Sequence, residues 1–119
     1  MKKSLVIGAS LDPQRYSFKA ISMLLDRNNP VEAIGLEQGV VFGIYIHNTQ
    51  PQFTGIDTIN MYINRKSQEE FYDYILCLNP KRVIFNPGTE NPFLYSLLLK
   101  NNIEYDEACT LIMLSKDRY

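Results

Sequence analysis

The sequence predicts an α/β fold: a three-layer sandwich on a mostly parallel, five- to six-stranded sheet. Three observations predict it. Short, branched apolar runs stop at turn residues and read as buried strands. They alternate with segments of helical periodicity, an order that implies an open sheet covered on both faces. A chain of 119 residues, 45% of them hydrophobic, can bury one such core and has no room for a second domain, so residues 1–119 read as a single unit.

The first strand is Ser4 to Gly8, where Leu5-Val6-Ile7 ends at a glycine. A loop from Ala9 to Tyr16 follows, and Ser17 is the expected N-cap of a helix carrying Ala20, Ile21, Leu24 and Leu25 up to Asn28-Asn29-Pro30. Val31 to Leu36 is the second strand and Val40 to Ile46 the third. Only Glu37-Gln38-Gly39 separates them, and a parallel crossover needs about a dozen residues, so the pair is expected to be an antiparallel hairpin.

The polar stretch from His47 to Gly55 is loop, and Ile56 to Ile63 is a central strand with Ile59, Met61 and Ile63 on one side and Tyr62 on the other. Ser67 is expected to cap one strong helix, with Glu69 and Glu70 in its first turn and Phe71, Tyr74, Ile75 and Leu78 on one face. Asn79-Pro80 stops it. Arg82 to Asn86 is the next strand, followed by a helix that Asn91 caps and Pro92 opens. Glu104 to Glu107 is the last strand and Thr110 to Lys116 a terminal helical segment.

Ligands of such sheets bind beyond the carboxyl ends of the strands, where the loops after Gly8, Asn86 and Glu107 lie. Gly8-Ala9-Ser10 runs toward a helix N-terminus, whose free amides and positive dipole end favour a phosphate. Arg15, Tyr16, Ser17 and Lys19 add two cations and two hydroxyls nearby. The alternative is an ordinary turn with surface cations. The GxGxxG fingerprint is absent, which counts against a common dinucleotide site, although Glu37 closes the second strand where such a site places an acid on the ribose. Glu37 is more often simply a hairpin turn residue.

The segment Asn86-Pro87-Gly88-Thr89-Glu90-Asn91 reads either as a pocket wall or as a capped strand-to-helix connection. Glu90 and Glu107 follow neighbouring strands and are candidates for a carboxylate pair. Cys77 and Cys109 lack paired spacing and default to buried thiols, and His47, the one histidine, completes neither a metal set nor an evident Cys/His couple. A net charge of −1 leaves no field that would collect nucleic acid or an anionic membrane. The run Leu5-Val6-Ile7 is too short for a signal or membrane segment, and unpaired cysteines fit a reducing compartment, so a cytoplasmic location is expected.

Val6-Ile7-Gly8-Ala9-Ser10 with Arg15-Tyr16-Ser17, Tyr72-Asp73-Tyr74-Ile75, Lys81 to Asn91, and Glu107-Ala108-Cys109-Thr110-Leu111 together resemble the small stand-alone CoA-binding domain proteins of bacteria. These in turn are similar to the CoA-binding Rossmann domain of the succinyl-CoA synthetase α subunit. The resemblance implies a Rossmann-like fold and a small-molecule partner, coenzyme A or an acyl-CoA, bound without catalysis. It implies that Gly8, Ala9, Ser10, Arg15, Tyr16, Ser17 and Lys19 hold the pyrophosphate region and that Asn86, Pro87, Gly88 and Glu107 line the cleft. The chain departs from many such relatives after its second strand, where they carry Val-Asn-Pro and it has Gly35-Leu36-Glu37-Gln38-Gly39. An acid there disfavours the 3′-phosphate of coenzyme A unless a cation such as Lys19 offsets it. The competing expectations are an NAD(P)-type dinucleotide subunit and a small thioester-processing enzyme using Cys109 or Glu107.

Overall fold

A computed structural model describes all residues, Met1–Tyr119. Seven strands form one sheet: β1 Ser4–Ala9, β2 Val31–Gly35, β3 Gly39–Val41, β4 Ile44–His47, β5 Thr58–Met61, β6 Arg82–Phe85 and β7 Glu104–Glu107. Their spatial order is β3-β4-β2-β1-β5-β6-β7, and every pair is parallel except β3 with β4. The helices are α1 Tyr16–Asp26, α2 Arg65–Gln68, α3 Tyr72–Leu78, α4 Pro92–Lys100 and α5 Thr110–Ser115, with a 3₁₀ turn at Glu69–Phe71.

Strand alternation divides the core in two. On one face Leu5, Ile7, Ile59, Met61 and Phe85 pack against Tyr74 and Ile75 of α3 and Leu94 and Leu98 of α4. On the other, Val6 and Ala33 meet Ile21 and Leu24 of α1 and Leu114 of α5. Ile59, Met61 and the partly buried Ile63 share the first face while Tyr62 joins the second, as the period-two pattern predicts. The second face also holds a polar seam. Tyr119 Oη shares a 2.7 Å hydrogen bond with Ser4 Oγ and accepts one from Asn60 Nδ2 at 2.8 Å. Its ring lies 4.7 Å from the Arg82 guanidinium.

Several expectations are corrected. The stretch from Val40 to Ile46 is not one strand but a hairpin, reversing at Phe42 and Gly43, which both have positive φ (51° and 79°), the pattern of a tight two-residue turn. That excursion returns the chain alongside β2 in parallel, pairing Ala33 with Ile46 and Ile34 with His47, so β2 and β3 form no hairpin and the sheet gains a seventh strand. Ser17 is not the cap of α1. The helix starts at Tyr16 with Arg15 at the cap position, and Ser17 is buried in its first turn. Nor does Ser67 cap the 65–78 region: Asn64 does, its Oδ1 accepting from Ser67 N at 2.9 Å, and the expected single helix is broken at the 3₁₀ turn.

Candidate functional site

The carboxyl ends of β2, β1, β5 and β6 open into one cleft of about 720 Å³, a volume suited to a cofactor-sized molecule. Its floor begins at Gly8, where β1 breaks register with β2 between Ile7 and Ala9. Gly8 has φ +101°, and a Cβ there would stand 2.9 Å from both Ile63 Cγ2 and the Tyr62 carbonyl carbon. Glycine is therefore required by conformation and by space, and it lets the backbone of β1 lie directly against the end of β5. Gly35 makes a similar approach from the other side: a Cβ on it would meet Ala9 O at 2.2 Å.

From Ala9 the chain enters a loop tightened by its own polar groups. Asp12 N donates to Ser10 Oγ at 3.0 Å, Gln14 N to Asp12 Oδ1 at 2.9 Å and Arg15 N to Asp12 O at 3.0 Å. The loop thus delivers α1 with its N-terminus to the cleft. No side chain caps this helix, and its first bonded amide is that of Lys19, 3.3 Å from Arg15 O. The amides of Tyr16, Ser17 and Phe18 ahead of it have no partner within the chain, so the positive end of the helix dipole is open.

Arg15, Tyr16 and Ser17 line the same wall. Arg15 is the only cation lining the cleft and forms no ion pair, while the carboxylates there, Glu37 and Glu70, are unpaired as well. Free amides at a helix start with an arginine beside them suit a diphosphate, and the Gly8 cradle leaves no side chain in its way. The opposite wall is Tyr62, Ile63 and Asn64 from the β5–α2 connection and Ser67 of α2, with Pro87 and Thr89 beyond β6. The Tyr62 hydroxyl is buried and has no hydrogen-bond partner. Burial pushes its pKa up, and neighbouring Cys109 and Tyr119 add to the rise against the opposing influence of Thr110. Thr110 Oγ1 is itself engaged with Asn60 and Asn86.

Over residues 2–115 the chain matches the family model described as CoA binding domain. The chain belongs to that family. A crystal structure described as that of an uncharacterized protein is 44% identical, with a TM-score of 0.97, and the match covers 100% of this chain and 98% of the other. The redesigned PH1109 protein shares the fold at 18% identity and a TM-score of 0.87, over 98% of this chain and 83% of that one. An acetyl-coenzyme A synthetase of Ca. Korarchaeum cryptofilum, in complex with phosphate and ADP, contains the fold as 25% of its own chain, matching 88% of this one at 14% identity and a TM-score of 0.70. No protein of curated function matches the sequence.

Within this CoA binding domain, the structure brings together Gly8, Ala9, Ser10, Arg15, Tyr16, Ser17 and Pro87. Four other expected residues lie outside the cleft lining. Lys19 sits one turn into α1, with its Nζ 5.5 Å over the Tyr16 ring, the placement that i,i+3 spacing dictates. Asn86 is buried scaffold, binding Met61 O and Thr110. Gly88 donates its amide to Glu90 Oε1 at 2.9 Å, so Glu90 is folded onto its own turn. Glu107, on the edge strand β7, accepts from Tyr95 Oη at 2.8 Å, and the two carboxylates are engaged separately instead of sharing a site.

The thiols are not buried as expected. Cys77 is exposed on α3, and Cys109 is half-buried at the start of α5. His47 ends β4, its ring edge-on to Tyr45 and Phe53, and β4 lies three strand spacings, about 14 Å, from the β5 end that Cys109 approaches. No group of three His, Cys, Asp or Glu side chains is placed to hold a metal. No helix is long and apolar enough to cross a membrane. Thr89 lines the cleft from the segment read as a possible pocket wall, whereas Tyr62, Asn64 and Ser67 are lining residues that the sequence reading gave no ligand role. The available signal was the Asn-x-x-Ser spacing directly after a buried strand, which places a capped helix start at the ligand end of the sheet.

Proposed function

We propose that the protein binds coenzyme A or an acyl-CoA in this cleft, as a carrier or sensor, without catalysing a reaction on it. The observation that carries the reading is the uncapped start of α1, with Arg15 beside three free amides, inside a cofactor-sized cleft of a CoA binding domain. A diphosphate placed there gains several charge-assisted hydrogen bonds. The remaining length of the ligand has a path across the ends of β1 and β5 toward Pro87 and Thr89. The non-catalytic part of the proposal is supported by the placement of the Cys109 thiol outside the cleft lining and away from His47.

An NAD-type dinucleotide is the second reading, favoured by Glu37 in the cleft beyond β2. Parallel isothermal titrations with coenzyme A, dephospho-CoA, NAD and ADP separate the two. CoA-type ligands binding with NAD no better than ADP supports the proposal, and NAD binding more tightly than either CoA-type ligand replaces it. Retained binding by Cys109→Ala, with no thioester hydrolysis by either protein, removes the enzyme reading.

A further inference from the structure

The charge arrangement of the cleft bears on which form of such a ligand it selects. The amides and guanidinium that suit a diphosphate are gathered at one place, the start of α1. The neighbouring section, beyond β2, presents Gly35, Leu36 and Glu37, with Asn48 from the end of the parallel β4 beside it. No lysine or arginine lines that section. Lys19, one turn into α1, stands over the Tyr16 ring and outside the lining, and Arg27 pairs with Asp117. Glu37 is exposed to the cleft and has neither an ion-pair partner nor a hydrogen bond within the chain. Its carboxylate is an acceptor without a donor.

The two possible occupants of that section have opposite chemistry. Free ribose hydroxyls are donors, and a carboxylate is a strong acceptor for them. A 3′-phosphate carries nearly two negative charges at neutral pH and offers acceptors alone. As a scale, a carboxylate about 6 Å from a dianion in a water-like dielectric weakens binding about tenfold. Resting on the CoA-type reading above, we propose that the cleft selects ADP-containing ligands whose ribose hydroxyls are unphosphorylated, so that 3′-dephospho-CoA binds more tightly than coenzyme A, and that Glu37 sets the preference.

The test is isothermal titration of coenzyme A and 3′-dephospho-CoA into the wild-type protein, Glu37→Gln and Glu37→Lys, at low and at high salt. The expected result is about tenfold tighter binding of dephospho-CoA by the wild type, shrinking with salt as exposed charges are screened. Glu37→Gln reduces the preference to about twofold or less, and Glu37→Lys reverses it. Because Glu37 is exposed, unchanged melting temperatures confirm that the variants fold. Equal or tighter binding of coenzyme A by the wild type overturns this inference and leaves the proposed function standing. An undiminished preference in Glu37→Gln overturns the assignment to Glu37. Failure of both ligands to bind the wild type overturns the CoA-type reading itself.

Discussion

Asn86 holds Thr110 at two points: its Oδ1 accepts from the Thr110 amide at 2.8 Å and its Nδ2 donates to Thr110 Oγ1 at 3.0 Å. The Asn86 carboxamide thereby caps the start of α5 from the end of β6, and its Nδ2 also reaches Met61 O at 3.2 Å. Thr110 Oγ1 in turn donates to Asn60 Oδ1 at 2.8 Å. A buried chain of side chains therefore ties β5, β6 and α5 together behind the cleft. Asn86→Ala leaves several of these groups unpaired and is expected to cost about 1–3 kcal/mol. Urea unfolding measures the loss, and a variant as stable as the wild type contradicts the account of this seam.

Gly8→Ala is expected to destabilise the protein by about 1–3 kcal/mol, because the added Cβ meets the backbone of Tyr62 and the conformation is one that alanine resists. Movement of Ala9 and Ser10 should weaken ligand binding together with stability. Denaturation and titration on the same variant check both losses.

At the start of α2, Asn64→Ala removes a side-chain cap and is expected to cost about 1 kcal/mol, whereas Ser67→Ala, which keeps the capped amide, should change stability by no more than about 0.5 kcal/mol. Thermal melts of the two variants distinguish the observed cap from the one the sequence suggests.

Burial raises the pKa of Tyr62, Tyr95 and Tyr119, and that of Tyr74 to about 12. An unfolded tyrosine ionises near pH 10. Between that pH and the higher folded values the unfolded chain releases protons that the folded chain retains, so stability is full below about pH 10 and falls as pH rises. Each such phenol contributes a slope of up to about 1.4 kcal/mol per pH unit. Absorbance titration should show these four tyrosines ionising well above pH 10, either in the folded protein or together with its unfolding. Their titration near pH 10 in a folded protein contradicts the burial argument.

Much of this was legible in the sequence because the signals were local. Leu5-Val6-Ile7-Gly8 gave strand and turn together, and Asn91-Pro92 marked the start of α4. The β3–β4 turn was illegible because it places Phe42, a bulky non-glycine residue, at positive φ ahead of Gly43. Its ring packs 5.0 Å from Phe18, a tertiary contact invisible to local propensity. In the site, residues adjacent to β1 were readable from the strand-loop-helix pattern. Asn86 and Glu107 were not, since their side chains turn toward Thr110 and Tyr95, and polar residues at strand ends look alike whether they face a ligand or a helix. Lys19 lies outside the lining for a different reason: one turn of helix carries it from the phosphate loop to a place over the Tyr16 ring.

The measurement that tests the central claim most directly is calorimetric titration of CoA-type nucleotides into wild-type protein and Arg15→Ala. Arg15 is exposed and makes no ion pair, so its removal should leave the melting temperature unchanged. Binding by the wild type, weakened in the variant by about 1.5–3 kcal/mol, is the predicted result for a lost charge-assisted contact to the diphosphate. No binding by the wild type, or equal affinity in the two proteins, contradicts a diphosphate held at the start of α1.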